Sequence, residues 1–267
     1  MSITADQFGP WAVVTGASSG IGREFAHQIA DAGINVVLVA RRLAALQDLG
    51  AALARGYGVD YRAVGVDLSD PGMLTPIIEV TNDIDVGLLV SNAGVALPGP
   101  FLESDLQAQR AILRLNTAAH LGLSHHFGER LARRGRGGIV LVSALGAVHG
   151  VPYMAHTAAT KAYVSSLGAG LHVELAKRGV HVTVLHPGPT RTPVLGELGL
   201  DPDKMPIPAM TPHDCVGEAL RALKRNRARC IPGRVNRVTA ALVPPALTRS
   251  MMARMLSRPA SVAAAAE

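Results

Sequence analysis

Gly16, Gly20 and Gly22 stand at a G-x-x-x-G-x-G spacing, after the apolar run Trp11-Ala12-Val13-Val14 and before Arg23-Glu24-Phe25-Ala26. The chemistry such a stretch can do is anion binding. Glycine removes side chains where the chain turns tightly, where a ligand approaches the backbone and where helix packs on strand, and the helix N-terminus then faces a pyrophosphate. With Ser18-Ser19 and Ile21 inside the turn, the stretch points to a dinucleotide. A strand-to-helix turn without ligand is the plainer alternative.

A second group of residues bears on which dinucleotide. Ile34 to Val39 reads as a buried strand, and Ala40-Arg41-Arg42 stands at its C-terminal end, where a fold of this kind meets the adenosine ribose. A carboxylate there favours NAD(H), whereas guanidinium groups hold a 2′-phosphate by paired, charge-assisted hydrogen bonds. NADP(H) is therefore expected in preference to NAD(H), through Arg41 first. Arg42 is equally readable as a solvated first-turn residue.

The elements that must position these residues alternate along the chain. Strand-like runs at Val59 to Val66, Val86 to Ser91, Ile139 to Val142 and Val180 to Leu185 are separated by helix-like runs at Leu43 to Ala54, after Asp70-Pro71, at Leu106 to Arg134 and at Met154 to Lys177. Gly137-Gly138 reads as the break that ends the helix before Ile139. This alternation predicts an α/β fold, a Rossmann-like doubly wound parallel sheet in a three-layer α/β/α sandwich. At 267 residues and 48% hydrophobic content, the chain suits a single domain over residues 1–267. Ligands of such sheets bind at the carboxyl ends of the strands.

Composition narrows the function classes. The net charge of +6 comes mostly from arginine, in Arg133-Arg134-Gly135-Arg136 and the acid-free run from Arg221 to Arg237. Aromatics make up 3% and none lies within Arg221 to Arg237, so no stacking platform for nucleic acid is present and no nucleic-acid partner is expected. A solvated basic face is the reading, with docking of an acidic carrier protein or a phosphorylated carrier such as coenzyme A as a narrower one. Cys215 and Cys230 lack metal-ligand spacing and read as free thiols; no metal is expected. Met1 to Asp6 shows no basic start before an apolar run and no stretch has the length of a membrane span, so a cytoplasmic protein without transmembrane segment is expected.

Two segments point to the substrate. Residues 194–212 carry Leu195, Leu198, Leu200, Met205, Ile207 and Met210 among glycines and prolines, a composition suited to a lid over an apolar ligand. Leu97, Leu145, Val151 and Pro152 would join its wall, so an apolar ketone, fatty-acyl or polyketide-like molecule fits better than a sugar. Residues 235–267 combine Leu242, Val243, Leu247, Met251 and Leu256 with Arg237, Arg249 and Arg254 and read as a basic amphipathic tail, covering the cleft or packing on a partner subunit, with membrane-surface contact as the alternative.

With these motifs in order, the chain resembles the short-chain dehydrogenase/reductase family over nearly its whole length. The matching pieces are Thr15 to Gly22, Asp67-Leu68, Asn92-Ala93-Gly94, Asn116, Ser143, Lys161 and Pro187-Gly188-Pro189-Thr190-Arg191-Thr192. The resemblance implies that Asp67 meets the adenine, that the Asn92-Ala93-Gly94 turn packs beside the cofactor, and that Thr190 and Thr192 hold the carboxamide or pyrophosphate. It implies Ser143 and Lys161 as active-site residues, Asn116 as an interruption of its helix serving a proton relay, and a symmetric homodimer or homotetramer paired through the helices of Leu106 to Arg134 and Met154 to Lys177.

One departure is large. The family's acid is a tyrosine four residues before the lysine, and that position here is Thr157. A threonine hydroxyl donates a hydrogen bond but is a poor acid at neutral pH. Tyr153, His149 and His156 are the nearby substitutes; Tyr153 shares a helix face with Thr157 if the helix already includes it. The reading is NADP(H)-dependent carbonyl reduction or alcohol oxidation on an apolar molecule with a non-standard proton donor. The alternatives are dehydration, cyclisation or isomerisation in a biosynthetic pathway, and a catalytically silent cofactor-binding partner.

Overall fold

The computed structural model describes residues 3–205 and 207–257. Seven strands form one sheet: β1 (Trp11–Thr15), β2 (Asn35–Ala40), β3 (Tyr61–Gly65), β4 (Val86–Ser91), β5 (Gly137–Val142), β6 (Val180–Leu185) and β7 (Arg229–Cys230), in the order β3-β2-β1-β4-β5-β6-β7. Every pairing is parallel. Parallel strands covered on both faces must be apolar at consecutive positions, because successive side chains point to opposite sides. Accordingly Val14, Leu38, Leu88 and Val140 enter one core while their neighbours Val13, Val37, Leu89 and Ile139 enter the other.

The helices are α1 (Ala5–Phe8), α2 (Gly20–Asp31), α3 (Leu43–Tyr57), α4 (Leu74–Thr81), α5 (Leu106–Leu113), α6 (Ala119–Arg134), α7 (Ala155–Ala176), α8 (Pro193–Glu197), α9 (Pro212–Lys224), α10 (Arg234–Leu242) and α11 (Pro245–Leu256). Phe25 and Ile29 of α2, Leu46 and Leu53 of α3 and Leu220 and Leu223 of α9 fill one core; Ile77 of α4, Phe127 and Leu131 of α6 and Val164 of α7 fill the other. The doubly wound, Rossmann-like architecture expected from the alternation is the one observed. Its strand order reverses between β1 and β4, which opens a crevice at their carboxyl ends.

Several local expectations differ from the structure. Gly137 and Gly138 do not break the chain before β5 but begin it, because Phe8 and Leu131 pack directly over them and leave no room for side chains. By contrast, the interruption at Asn116 that the resemblance implies is present: the run from Leu106 to Arg134 is α5 and α6 joined by a wider π-type turn at Arg114–Ala118, which holds Asn116. The acid-free run from Arg221 contains β7, an edge strand too short to carry a period. The basic tail forms two helices, divided at Pro244-Pro245, and its residues 258–267 lie outside the described part. Arg134 is not a solvated charge: it is mostly enclosed, pairs with Asp85 at 2.9 Å and donates to the carbonyls of Gln7 and Gly9.

Candidate functional site

The glycine turn leaves β1 and enters α2 at the crevice. A Cβ on Gly22 would overlap the Gly16 carbonyl oxygen, so the turn closes only with glycine there. Ser19 is the N-cap of α2, yet its side chain makes no capping hydrogen bond, which leaves first-turn N–H groups directed outward as an anion cradle. Ser18 and Ile21 are half-buried on the same turn, and Ile21 packs on the core. Thr15 ties this turn to the one after β4. Its Oγ1 accepts the N–H groups of Asn92 at 2.9 Å and Ala93 at 3.1 Å, and Asn92 Nδ2 donates to the Thr15 carbonyl at 2.9 Å.

At the end of β2, Arg41 and Arg42 are exposed. Asp67, beyond β3, accepts the backbone N–H and the hydroxyl of Ser69, both at 2.8 Å. The Ser69 N–H first, and then its hydroxyl and the Arg41 charge, hold the Asp67 carboxyl below the usual range against the opposing effect of burial. Leu68 packs into the core beneath. The loop after β6 completes the cradle. Pro187 accepts from Leu145 N–H at 3.0 Å, Thr190 Oγ1 donates to the Gly188 carbonyl at 3.0 Å, and Thr192 packs beside Gly20. Arg191, between them, pairs with Asp203 of the expected lid at 2.6 Å. These residues fit a dinucleotide: a side-chain-free turn, exposed helix N–H groups and two guanidinium groups lie along one rim.

Around the candidate reaction centre the hydroxyl groups are engaged. Ser143, just past β5, donates to the Lys161 carbonyl at 2.8 Å and lies 2.7 Å from Ser165 Oγ, which in turn reaches His186 Nε2 at 3.1 Å. Ser143 therefore turns toward the backbone of α7. Thr157 Oγ1 accepts the Leu97 N–H at 3.2 Å. Asn116 clamps Val95, accepting its N–H and donating to its carbonyl, both at 3.0 Å, and donates to Thr160 Oγ1 at 3.0 Å. Lys161 Nζ donates to the Val142 carbonyl at 2.9 Å and lies beside Gly94. Burial pushes its pKa down to about 8.

The candidate substitute donors fall differently. Tyr153 does not belong to α7: its φ is +61° and Met154 is the N-cap, so Tyr153 and Thr157 do not share a helix face. The tyrosine lines a small pocket with Leu97, Gly99, Phe101, Gln109 and His156, and His156 Nε2 lies 2.9 Å from the Gln109 carbonyl. Its link to Thr157 is through Leu97. His149 sits exposed on a 3-10 turn, and its carbonyl accepts from Arg249 of α11 at 3.2 Å.

Sequence reasoning missed a buried histidine under this site. His120 of α6 lies 3.1 Å from the Ala93 carbonyl through Nε2 and 2.8 Å from Ser91 Oγ through Nδ1. Burial, and then the Lys161 charge, lower its pKa to about 3. It is therefore a neutral ring, with Nε2–H donating and Nδ1 accepting the serine hydroxyl. Ser91 and His120 lie 29 positions apart, and no spacing in the sequence marks them as partners.

Residues 10–203 match the family described as short chain dehydrogenase. Together with the seven-stranded sheet and its crevice, this places the chain in the short-chain dehydrogenase family. It is similar to a 7beta-hydroxysteroid dehydrogenase of Clostridium sardiniense, 31% identical over 233 residues that cover 87% of this chain and 88% of the relative. A short-chain dehydrogenase from Sphingobium yanoikuyae in complex with NADPH superposes with a TM-score of 0.80 and 32% identity over 97% of this chain and 99% of the other. Human inactive hydroxysteroid dehydrogenase-like protein 1 is 34% identical over 184 residues, 68% of this chain and 56% of that relative. No helix among the described residues is long and apolar enough to cross a membrane.

Proposed function

We propose that this chain is an NADP(H)-dependent oxidoreductase acting on the carbonyl or alcohol of an apolar small molecule, with a proton donor other than the family's tyrosine. The observation that carries the reading is the convergence at the β1/β4 crevice of the glycine turn, the Arg41 and Asp67 rim and the enclosed Lys161 ammonium. NADPH bound there would supply a hydride to the carbonyl carbon. Gly16, Ser18, Ser19, Gly20, Ile21 and Gly22 would hold its pyrophosphate, Arg41 its 2′-phosphate, and Thr190 and Thr192 its carboxamide end.

The chain's own residues then orient the substrate and move the proton. Thr157 Oγ1 accepts from Leu97 and keeps its own hydrogen, which it can donate to a substrate oxygen. Lys161 stands one turn later on α7, and an ammonium with a pKa of about 8 is an acid near the operating pH, as a threonine hydroxyl is not. We assign the proton to Lys161, delivered directly or through one water. The half-buried apolar residues Leu97, Leu145, Leu198 and Leu200 favour an apolar substrate, and one similar chain is a 7beta-hydroxysteroid dehydrogenase by name.

The test is the pH dependence of ketone reduction. Reduction should fall as pH rises through about 8, and Lys161→Arg, which keeps the charge but cannot give up its proton, should abolish it while retaining NADPH binding. Full activity in Lys161→Arg with an unchanged profile would defeat the assignment. A second reading, a cofactor-binding protein without turnover, is favoured by one observation: Ser143 and Thr157 are both hydrogen-bonded within the protein. Tight NADPH binding with no single-turnover oxidation across a panel of apolar ketones would establish it.

A further inference from the structure

The charge of this chain is divided unevenly. Residues 1–218 hold sixteen Lys and Arg against nineteen Asp and Glu, whereas residues 219–267 hold ten against the single Glu267. The second group includes α10 and α11, and both helices stand largely clear of the body. Among residues 234–257 Asn236 alone is buried, and α11 buries no side chain.

Their exposed residues are apolar and cationic by turns. On α10, Val235, Val238 and Leu242 follow at i, i+3 and i+7 along one face, and Leu242 is 76% exposed. Arg234 flanks that stripe, about 40° around the helix from Val238 at 100° per residue. On α11, Leu247, Met251 and Arg254 form a similar line, all exposed. Arg249, on the opposite side of α11, donates to the His149 carbonyl and so ties the helix to the 3-10 turn that follows β5 and Ser143.

We propose that α10 and α11 dock this protein on an anionic lipid surface, with their apolar stripe in the headgroup boundary and the arginines on lipid phosphate. Charge complementarity selects this occupant. A second copy meeting the same patch across a two-fold axis would set Arg234 and Arg254 against their own copies, since the neighbouring Glu218 is already engaged by Arg237 at 2.6 Å and no acidic residue follows between 219 and 266. Apolar residues rimmed by arginine match an interface of phosphate and acyl chain. Because α11 is bonded to the turn that follows Ser143, such docking would bring that side of the candidate site to the lipid surface, where an apolar substrate accumulates. The docking stands independently of whether the site turns over.

The experiment is co-sedimentation of the full chain with vesicles of phosphatidylcholine alone and with phosphatidylglycerol admixed. Binding should be at least about tenfold stronger with the anionic lipid and should weaken steeply with salt. Val238→Asp with Leu242→Asp, both at exposed positions, should abolish it without changing the thermal midpoint, and Arg234→Gln with Arg254→Gln should weaken it. No binding to anionic vesicles at low salt overturns the proposal. So does a wild-type dimer in solution that Leu242→Asp converts to monomer, which would give the face to a second copy.

Discussion

The Thr157 hydroxyl accepts the Leu97 N–H at 3.2 Å, which fixes the wall of the crevice to the position where the family carries its acid. That one bond makes Thr157 a structural residue on one side and leaves a single hydrogen for a ligand on the other.

Replacing Thr157 by tyrosine should therefore supply a phenol at the cost of the Leu97 bond, about 1 kcal/mol. Reduction of generic apolar ketones should rise by about tenfold or more while NADPH affinity holds. Steady-state kinetics beside calorimetric titration check both. Loss of a native reaction with unchanged NADPH affinity would instead favour the non-redox alternatives of dehydration, cyclisation or isomerisation.

Tyr153→Phe and His149→Ala should each leave more than half of the turnover. Tyr153 precedes α7 and lines a small pocket with Gln109 and His156, and His149 is exposed on a 3-10 turn. A loss of about a hundredfold in either would nominate that residue as the donor in place of Lys161.

NADPH should bind at least about tenfold more tightly than NADH, a difference of about 1.4 kcal/mol. Arg41→Asp should reverse the order, because phosphate attraction becomes repulsion and the carboxylate accepts from a ribose hydroxyl. Equal affinities for both cofactors in the wild type, measured by calorimetry, would remove the preference.

Acidification should destabilise the fold below neutral pH through two histidines. Burial first, and then the Lys161 and Arg229 charges respectively, lower His120 to about 3 and His186 to about 4. Between these values and the unfolded pKa of about 6.5, the unfolded chain binds more protons, so stability is lost as pH falls through that window. Two such groups give a slope of up to about 2.7 kcal/mol per pH unit. Urea unfolding at several pH values should show a shallower slope in His120→Gln than in wild type; identical slopes would mean that His120 does not hold its neutral state.

A symmetric oligomer should form through α5, α6 and α7. Leu106, Leu113, Leu121, Tyr163 and Val173 are exposed apolar side chains on these helices. On α7, Ala158 and Ser165 point inward: Ala158 is buried and Ser165 bonds to Ser143. Ala159 and Ser166 remain outward. Light scattering should give a dimer or tetramer mass that Leu121→Asp with Val173→Asp reduces; a monomeric wild type at micromolar concentration would count against the pairing.

What the sequence determined by itself was local or strictly ordered along the chain. Consecutive apolar residues in β1, β2 and β4 can be satisfied only between two layers, and glycines at 16 and 22 mark a close approach of backbone to backbone. Arg41 and the missing tyrosine at 157 are legible as residue types at counted positions. The tertiary structure decided which way the polar groups point. Ser143 turns from the crevice because α7 brings Ser165 and the Lys161 carbonyl within hydrogen-bond distance. Tyr153 falls outside α7 because the chain turns through a left-handed residue there. His120 reaches the Ala93 carbonyl across 27 positions, and Arg134 reaches Gly9 across 125. A hydroxyl, imidazole or guanidinium takes its direction from partners that only the folded chain brings near, and no period or spacing encodes them.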